Sequence, residues 1–277
     1  AVGNNALENQ NFTTATDTFN VAVGVNAGNA VTTGTQNTLV GGLTGDAITT
    51  GTNNTFLGYR SGSATTTANG NTGVGTDALK TNILGAHSIA IGSAALETQN
   101  YATATSAYNV GVGSNVGASI TTGVQNTLIG GLAGDALTDA DRNVAVGYLA
   151  LSSDTLGNDS VAIGRSALES QNFTTATSAY NVAIGRSAGV NLTTGVRNEF
   201  IGGLAGLSNT TGSNNVGIGL SSLEGNTVGS KSIAIGSNAL SLQNPSTATD
   251  MHNIAIGHSA GDSITTGSNN VIIGGLA

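Results

Sequence analysis

The chain has 277 residues, of which 42 are glycine; 8 % are charged, 4 % are aromatic, one is proline, and cysteine and tryptophan are absent. This composition excludes a disordered chain, which would carry more charge and proline and fewer aliphatics, and without cysteine there are no disulfides or thiolate metal sites. The net charge of −8 excludes a nucleic-acid partner, because no basic stripe could neutralise phosphates, and no apolar run is long enough for membrane insertion.

From the first residues onward, a Val, Ile or Leu followed by glycine recurs sixteen times. The glycines are Gly3, Gly24, Gly41, Gly58, Gly75, Gly92, Gly113, Gly130, Gly147, Gly164, Gly185, Gly202, Gly219, Gly236, Gly257 and Gly274. Eleven of the fifteen intervals are 17 residues and four are 21. With each of these glycines numbered 0, position −4 is Asn in twelve of fifteen coils, and Ser88, Ser160 and Ser232 are the exceptions. A second glycine stands at −7 in nine of the eleven short intervals, as at Gly34, Gly123 and Gly267.

The segment before each glycine alternates, so −3 and −1 face one way and −2 the other. One short strand per coil, stacked coil on coil, predicts an all-β fold: a parallel β-solenoid of about 16 coils of 17 or 21 residues, advancing by ~4.8 Å per coil. Glycines at 0 and −7 suit corners that require positive φ. Asn over Asn at −4 predicts a hydrogen-bonded ladder.

The 21-residue intervals divide residues 1–277, a single repeat domain, into super-repeats at about 3–91, 92–163, 164–235 and 236–277. The first holds one extra short coil, an indel that a solenoid tolerates because each coil touches only its neighbours. The chain opens and closes inside a repeat, which leads us to expect a segment of a longer chain.

Position −2 is mostly Ala or Gly, but is bulky at Leu39, Leu128, Phe200 and Ile272, where a doubled glycine follows (Gly41-Gly42, Gly130-Gly131, Gly202-Gly203, Gly274-Gly275). This reads as large-with-small packing on the −2 face, either inside one coil or between chains. A 17-residue coil buries little by itself, so self-association along the coils is expected.

The repeats "NVAVGVNAG", "HSIAIGSAALE", "DSVAIGRSALE" and "KSIAIGSNALS" resemble the S-x-A-I-G-x-x-A head repeats of trimeric autotransporter adhesins. "NAGNAVTTGTQNTLVGG" is similar to repeats of phage tail fibres. The resemblance covers the whole chain, although adhesin coils are commonly shorter. It implies left-handed β-roll coils in a parallel homotrimer, and an extracellular fibre shaft or head, on a cell surface or virion, that attaches to cells.

The long coils carry the irregular chemistry. Their inserts read "ALENQNFTTATDTFN", "ALETQNYATATSAYN", "ALESQNFTTATSAYN" and "ALSLQNPSTATDMHN". Phe12, Phe19, Tyr101, Tyr108, Phe173, Tyr180 and, in the last insert, His252 are candidate contacts to a surface glycan or protein, offering stacking beside hydrogen-bonding neighbours. The other reading is that these rings cover the bulge and pack on the next coil.

No catalytic, cofactor or metal site is predicted. Glu8, Glu97, Glu169 and Glu224 follow the leucine at +4 in their coils, and Glu97 and Glu169 would lie roughly 19 Å apart if stacked, too far for a glycosidase pair. Asp135, Asp139 and Asp141 lack the pattern of a calcium loop, and His87, His252 and His258 have no chelating spacing. Arg165 and Arg186, both at +1, are expected to form a ladder beside Glu169. Ice binding would need a continuous Thr-x-Thr array, which the inserts supply only once per super-repeat. A purely architectural filament remains the alternative to an attachment fibre.

Overall fold

The computed structural model describes residues 1–277 and is all-β, a parallel β-solenoid of about 17 residues per turn. The coils group into two compact units, Ala1–Ala140 and Asp141–Ala277. The first holds β1 (Val21–Val23), β2 (Thr38–Val40), β3 (Thr55–Leu57), β4 (Thr72–Val74), β5 (Gly85–Ala86), β6 (Ile89–Ile91), β7 (Thr105–Ser106), β8 (Val110–Val112) and β9 (Thr127–Ile129). The second holds β10 (Val144–Val146), β11 (Gly157–Asn158), β12 (Val161–Ile163), β13 (Thr177–Ser178), β14 (Val182–Ile184), β15 (Glu199–Ile201), β16 (Val216–Ile218), β17 (Gly229–Ser230), β18 (Ile233–Ile235), β19 (Thr249–Asp250), β20 (Ile254–Ile256) and β21 (Val271–Ile273).

Within each unit the three-residue strands pair in parallel and in one register. Val21 meets Thr38, Ala22 meets Leu39 and Val23 meets Val40; Val182, Ala183 and Ile184 meet Glu199, Phe200 and Ile201. Positions −3, −2 and −1 therefore stack on themselves, and the 21-residue intervals keep the same register.

The corner glycine is required twice over. All sixteen have φ between 130° and 146°, a region that side chains avoid. A Cβ at Gly58 would also lie 2.5 Å from the Gly75 carbonyl oxygen, and one at Gly202 would lie 2.4 Å from that of Gly219. The −7 glycines have a different reason. Gly34 and Gly123 are not in the positive-φ region, contrary to the expectation from sequence. Space excludes a side chain there, since a Cβ at Gly34 would come within 2.4 Å of the Gly51 oxygen.

Positions −5 and +2 take left-handed φ almost always in residues other than glycine, and +4 does so as leucine or glycine. His87 (61°), Ala94 (53°) and Leu96 (49°) are examples. Such a residue costs about 1–2 kcal/mol. Backbone bonds to adjacent coils offset it: His87 N–H donates to Asn69 at 3.1 Å, Ala94 N–H to Thr76 at 2.9 Å and Leu96 N–H to Val116 at 3.0 Å.

The −2 side chains point into the coil. Ala22, Leu39, Phe56, Ala90, Leu128, Ala162 and Phe200 are buried, which places the −2 face in the core of one chain. The doubled glycine does not complement them, because it lies outside. Gly42 sits under the ring of Tyr59, and Gly203 under Leu220. The complement of a large −2 residue is glycine at +4. A Cβ at Gly45 would meet Leu39 at 2.9 Å, one at Gly62 would meet Phe56 at 2.3 Å, and one at Gly206 would meet Phe200 at 2.5 Å. At Ala90, Ala145, Ala162 and Ala234 the +4 residue is instead a buried leucine, Leu96, Leu151, Leu168 and Leu240, whereas Ala22, Gly111 and Ala183 keep glycine at +4, where a Cβ would meet the large −2 residue of the next coil, Leu39, Leu128 or Phe200. The interior volume is thus shared between two positions six residues apart, as close packing demands.

The −4 asparagines form the expected ladder. Asn37 Oδ1 accepts the Asn54 N–H at 3.0 Å, and Asn37 Nδ2 donates to the Gly51 oxygen at 2.9 Å. Asn198 repeats both bonds with Asn215 N–H and the Gly212 oxygen. Each side chain satisfies one buried donor and one buried acceptor of the coil beside it, as buried backbone requires. On the outer face −1 is aliphatic in every strand, with Ile91, Ile129 and Ile163 at 40, 40 and 37 % exposed.

Candidate functional site

The long coils differ first in their interior. Gln99, Gln171 and Gln243, all at +7, are buried. The −4 residue that opens each of these coils is serine, whose side chain is too short to reach the next −4 asparagine, and the glutamine bridges the gap. Gln99 Nε2 donates to Ser88 Oγ (3.0 Å) while its Oε1 accepts from Asn109 Nδ2 (2.9 Å). Gln243 repeats this with Ser232 and Asn253, and Gln171 with Ser160 and Asn181. The three Ser exceptions at −4 thus make room for glutamine. That role was detectable in sequence only by aligning the inserts, where Gln falls at one offset.

The second unit adds a carboxylate. Asp154 stands where the corresponding coils hold Asn82 and Asn226, each of which bonds both the N–H and the oxygen of a −7 glycine. Asp154 accepts from Gln171 Nε2 (2.6 Å), Phe173 N–H (3.0 Å) and Gly157 N–H (3.1 Å). Burial nonetheless pushes its carboxyl pKa up, with those bonds opposing.

The insert itself leaves the coil surface as expected. Residues 102–104 and 174–176 are exposed, and beyond them β7 pairs with β5 and β13 with β11. Of the candidate aromatics, Phe19, Tyr108 and Tyr180 are 70, 54 and 54 % exposed, and His252 is exposed. All four occupy the left-handed −5 position, which aims them outward. Tyr101 and Phe173 are buried and Phe12 is half-buried. For Tyr101 and Phe173 the packing reading is the correct one, because at +9 the ring turns under the bulge. The Tyr101 hydroxyl donates to the Gly123 oxygen at 2.7 Å.

Tyr108, Tyr180 and His252 each sit one coil from a different −5 residue. His87 stacks on Tyr108 with centroids 5.4 Å apart and planes 10° from parallel. The residue matching His87 is Asp159 in one super-repeat and Lys231 in another. Asp159 accepts from Arg142 at 2.7 Å, which holds its carboxyl below the usual range. Lys231 pairs with Asp250 at 2.7 Å, which lowers the Asp250 pKa. Beside His87 a cavity of about 220 Å³ opens, lined among others by Thr67, Asn69, Thr105 and Ser106.

The remaining candidates scatter. Glu97 pairs with Lys80 at 2.9 Å, and Asn29 Nδ2 donates to Glu8 at 2.9 Å. Asp135 has its pKa raised by burial, and Asp139 accepts from Thr122 at 2.5 Å. Neither Arg165 nor Arg186 forms an ion pair with Glu169, contrary to the expected ladder. A threonine row exists outside the inserts, at Thr32, Thr49 and Thr66, but each hydroxyl donates to the next coil's carbonyl and the row ends at Ile83. No helix is long and apolar enough to cross a membrane.

No family model, curated protein or solved structure matches this chain.

Proposed function

We propose that this solenoid is a structural segment of an extracellular or virion fibre, assembled from parallel copies of the chain as a homotrimer, that holds attachment loops away from its base. The observation that carries the reading is the outer sheet face. Within each unit, −1 is Val, Ile or Leu in every three-residue strand, and −3 is Val or Ile in ten of the fifteen, as at Val21, Ile89, Val144, Val182, Val216 and Ile254. Ordered aliphatic rows of this length are unusual on a monomer surface and fit burial against further copies. Sedimentation equilibrium tests this directly: a trimer at micromolar protein is expected, and a monomer at every concentration overturns it.

Attachment rests on the exposed rings Phe19, Tyr108, Tyr180 and His252, since rigid amphipathic rings on loops suit recognition of surface glycan or protein. Binding to host cells should fall when Tyr108 and Tyr180 are both changed to Ser with the circular-dichroism spectrum unchanged. Undiminished binding favours the architectural filament. Incubation with capsular polysaccharide should release no reducing ends, as a non-enzymatic fibre requires.

A further inference from the structure

The apolar sheet face of the second unit carries one charge. Glu199 stands at −3 in β15, exposed, with Val182 and Val216 beside it in the flanking strands. No cation bonds it within the chain, although Arg197 lies two residues earlier. On the opposite rim of the same face, at +1, stand Arg165 and Arg186, both exposed and both without an ion pair. Arg186 belongs to the coil of β14, the strand paired with β15. Glu199 and Arg186 are therefore at opposite edges of the face and one coil apart in height, ~4.8 Å, well within the reach of an arginine side chain. The +1 residue of the β15 coil is Gly203, so Glu199 has no side chain at its own level on that rim to meet.

We infer that Glu199 of one copy pairs with Arg186 of the next, fixing parallel copies at a common level. The inference rests on self-association through the −1/−3 face. A rim-to-opposite-rim contact is heterologous, and with the rotation of a parallel trimer its repetition in each copy closes a ring. The apolar rows supply attraction without axial register, since one coil resembles the next. A charge pair per copy narrows the register, because a slip that carries Arg186 a further coil from Glu199 leaves a carboxylate against aliphatics with no partner.

The test is charge reversal in the full chain, with association followed by sedimentation and folding by circular dichroism. Glu199→Arg and Arg186→Glu should each weaken association by at least roughly tenfold, and the double reversal should restore it. At high salt the variants should approach one another. If the wild-type chain associates but single reversals leave it unchanged, or the double reversal fails to restore it, the pairing is overturned while the fibre reading stands. If the wild-type chain never associates, that reading itself falls. Glu199→Gln, which keeps shape and loses charge, guards against a folding defect.

Discussion

Short and long coils share the strand, the corner glycine and the outer aliphatic rows; they part at the hydrogen bonds that join one −4 residue to the next. In the short coil, Asn54 reaches its neighbours directly through Asn71 N–H and the Ala68 oxygen. In the long coil the −4 residue is a serine too short for that reach, and a buried glutamine stands in. The constant part therefore makes the solenoid, and the variable part is confined to one side, where the loops emerge. Insertion is tolerated because the strand register never shifts.

The largest effect should come from the part both coils share. Gly58→Ala, in a short coil, and Gly113→Ala, in a long one, should each cost at least about 3 kcal/mol, through positive-φ strain added to a clash with the next carbonyl. Cβ atoms there would lie 2.5 Å from the Gly75 oxygen and 2.4 Å from the Gly130 oxygen. Thermal or urea denaturation should place the two variants close together. A long-coil variant as stable as wild type would show that its corner is not equivalent. Gly51→Ala should cost less, because alanine holds the same position at Ala68 and Ala140.

A smaller pair of effects separates the coils. Asn54→Leu leaves the Asn71 N–H and the Ala68 oxygen without their partner. Gln99→Leu removes bonds only to the side chains of Ser88 and Asn109, and Asn109 Nδ2 keeps the Gly123 oxygen. At about 1–3 kcal/mol for each buried group left unsatisfied, Asn54→Leu should lower the urea midpoint more than Gln99→Leu. The reverse order would mean that the glutamine bridge, not the asparagine ladder, limits stability.

The coil register was legible because aliphatic-glycine steps and Asn at −4 each have one physical explanation. Which face lies inside was not. Alternation defines two faces but ranks neither, and hydrophobicity misleads here: the bulkier Val and Ile at −1 and −3 lie outside, while Ala and Gly at −2 lie inside. A 17-residue coil has so little interior that a large −2 residue enters only where +4 is glycine, and that covariation links positions six apart. The two aromatics of an insert such as that of Tyr101 and Tyr108 look alike in sequence, yet +9 turns inward at Tyr101 and −5 outward at Tyr108. Backbone conformation at −5, not side-chain type, decides this, and side chains as different as Gln36, His87 and Arg142 share it.

The mildest change tests the interior of the short coil that precedes the second unit's first long one. Asp154 is buried, and its folded pKa is raised above the ordinary carboxylate value, chiefly by desolvation. A carboxyl with a raised folded pKa contributes its full stability while protonated, and loses it as pH rises through the folded pKa. Asp154 should therefore lower stability at neutral pH relative to acid, the opposite of a salt-bridged carboxylate. Asp154→Asn restores the residue found at Asn82 and Asn226, whose amides donate to the Gly85 and Gly229 oxygens. The variant gives up a charge-assisted bond from Gln171 but gains that donor and buries no charge. We expect it to melt higher than wild type at pH 7 and to match it under acid conditions, with the gap opening as pH rises. Parallel pH profiles for the two proteins would show that the three donors around Asp154 already offset its burial.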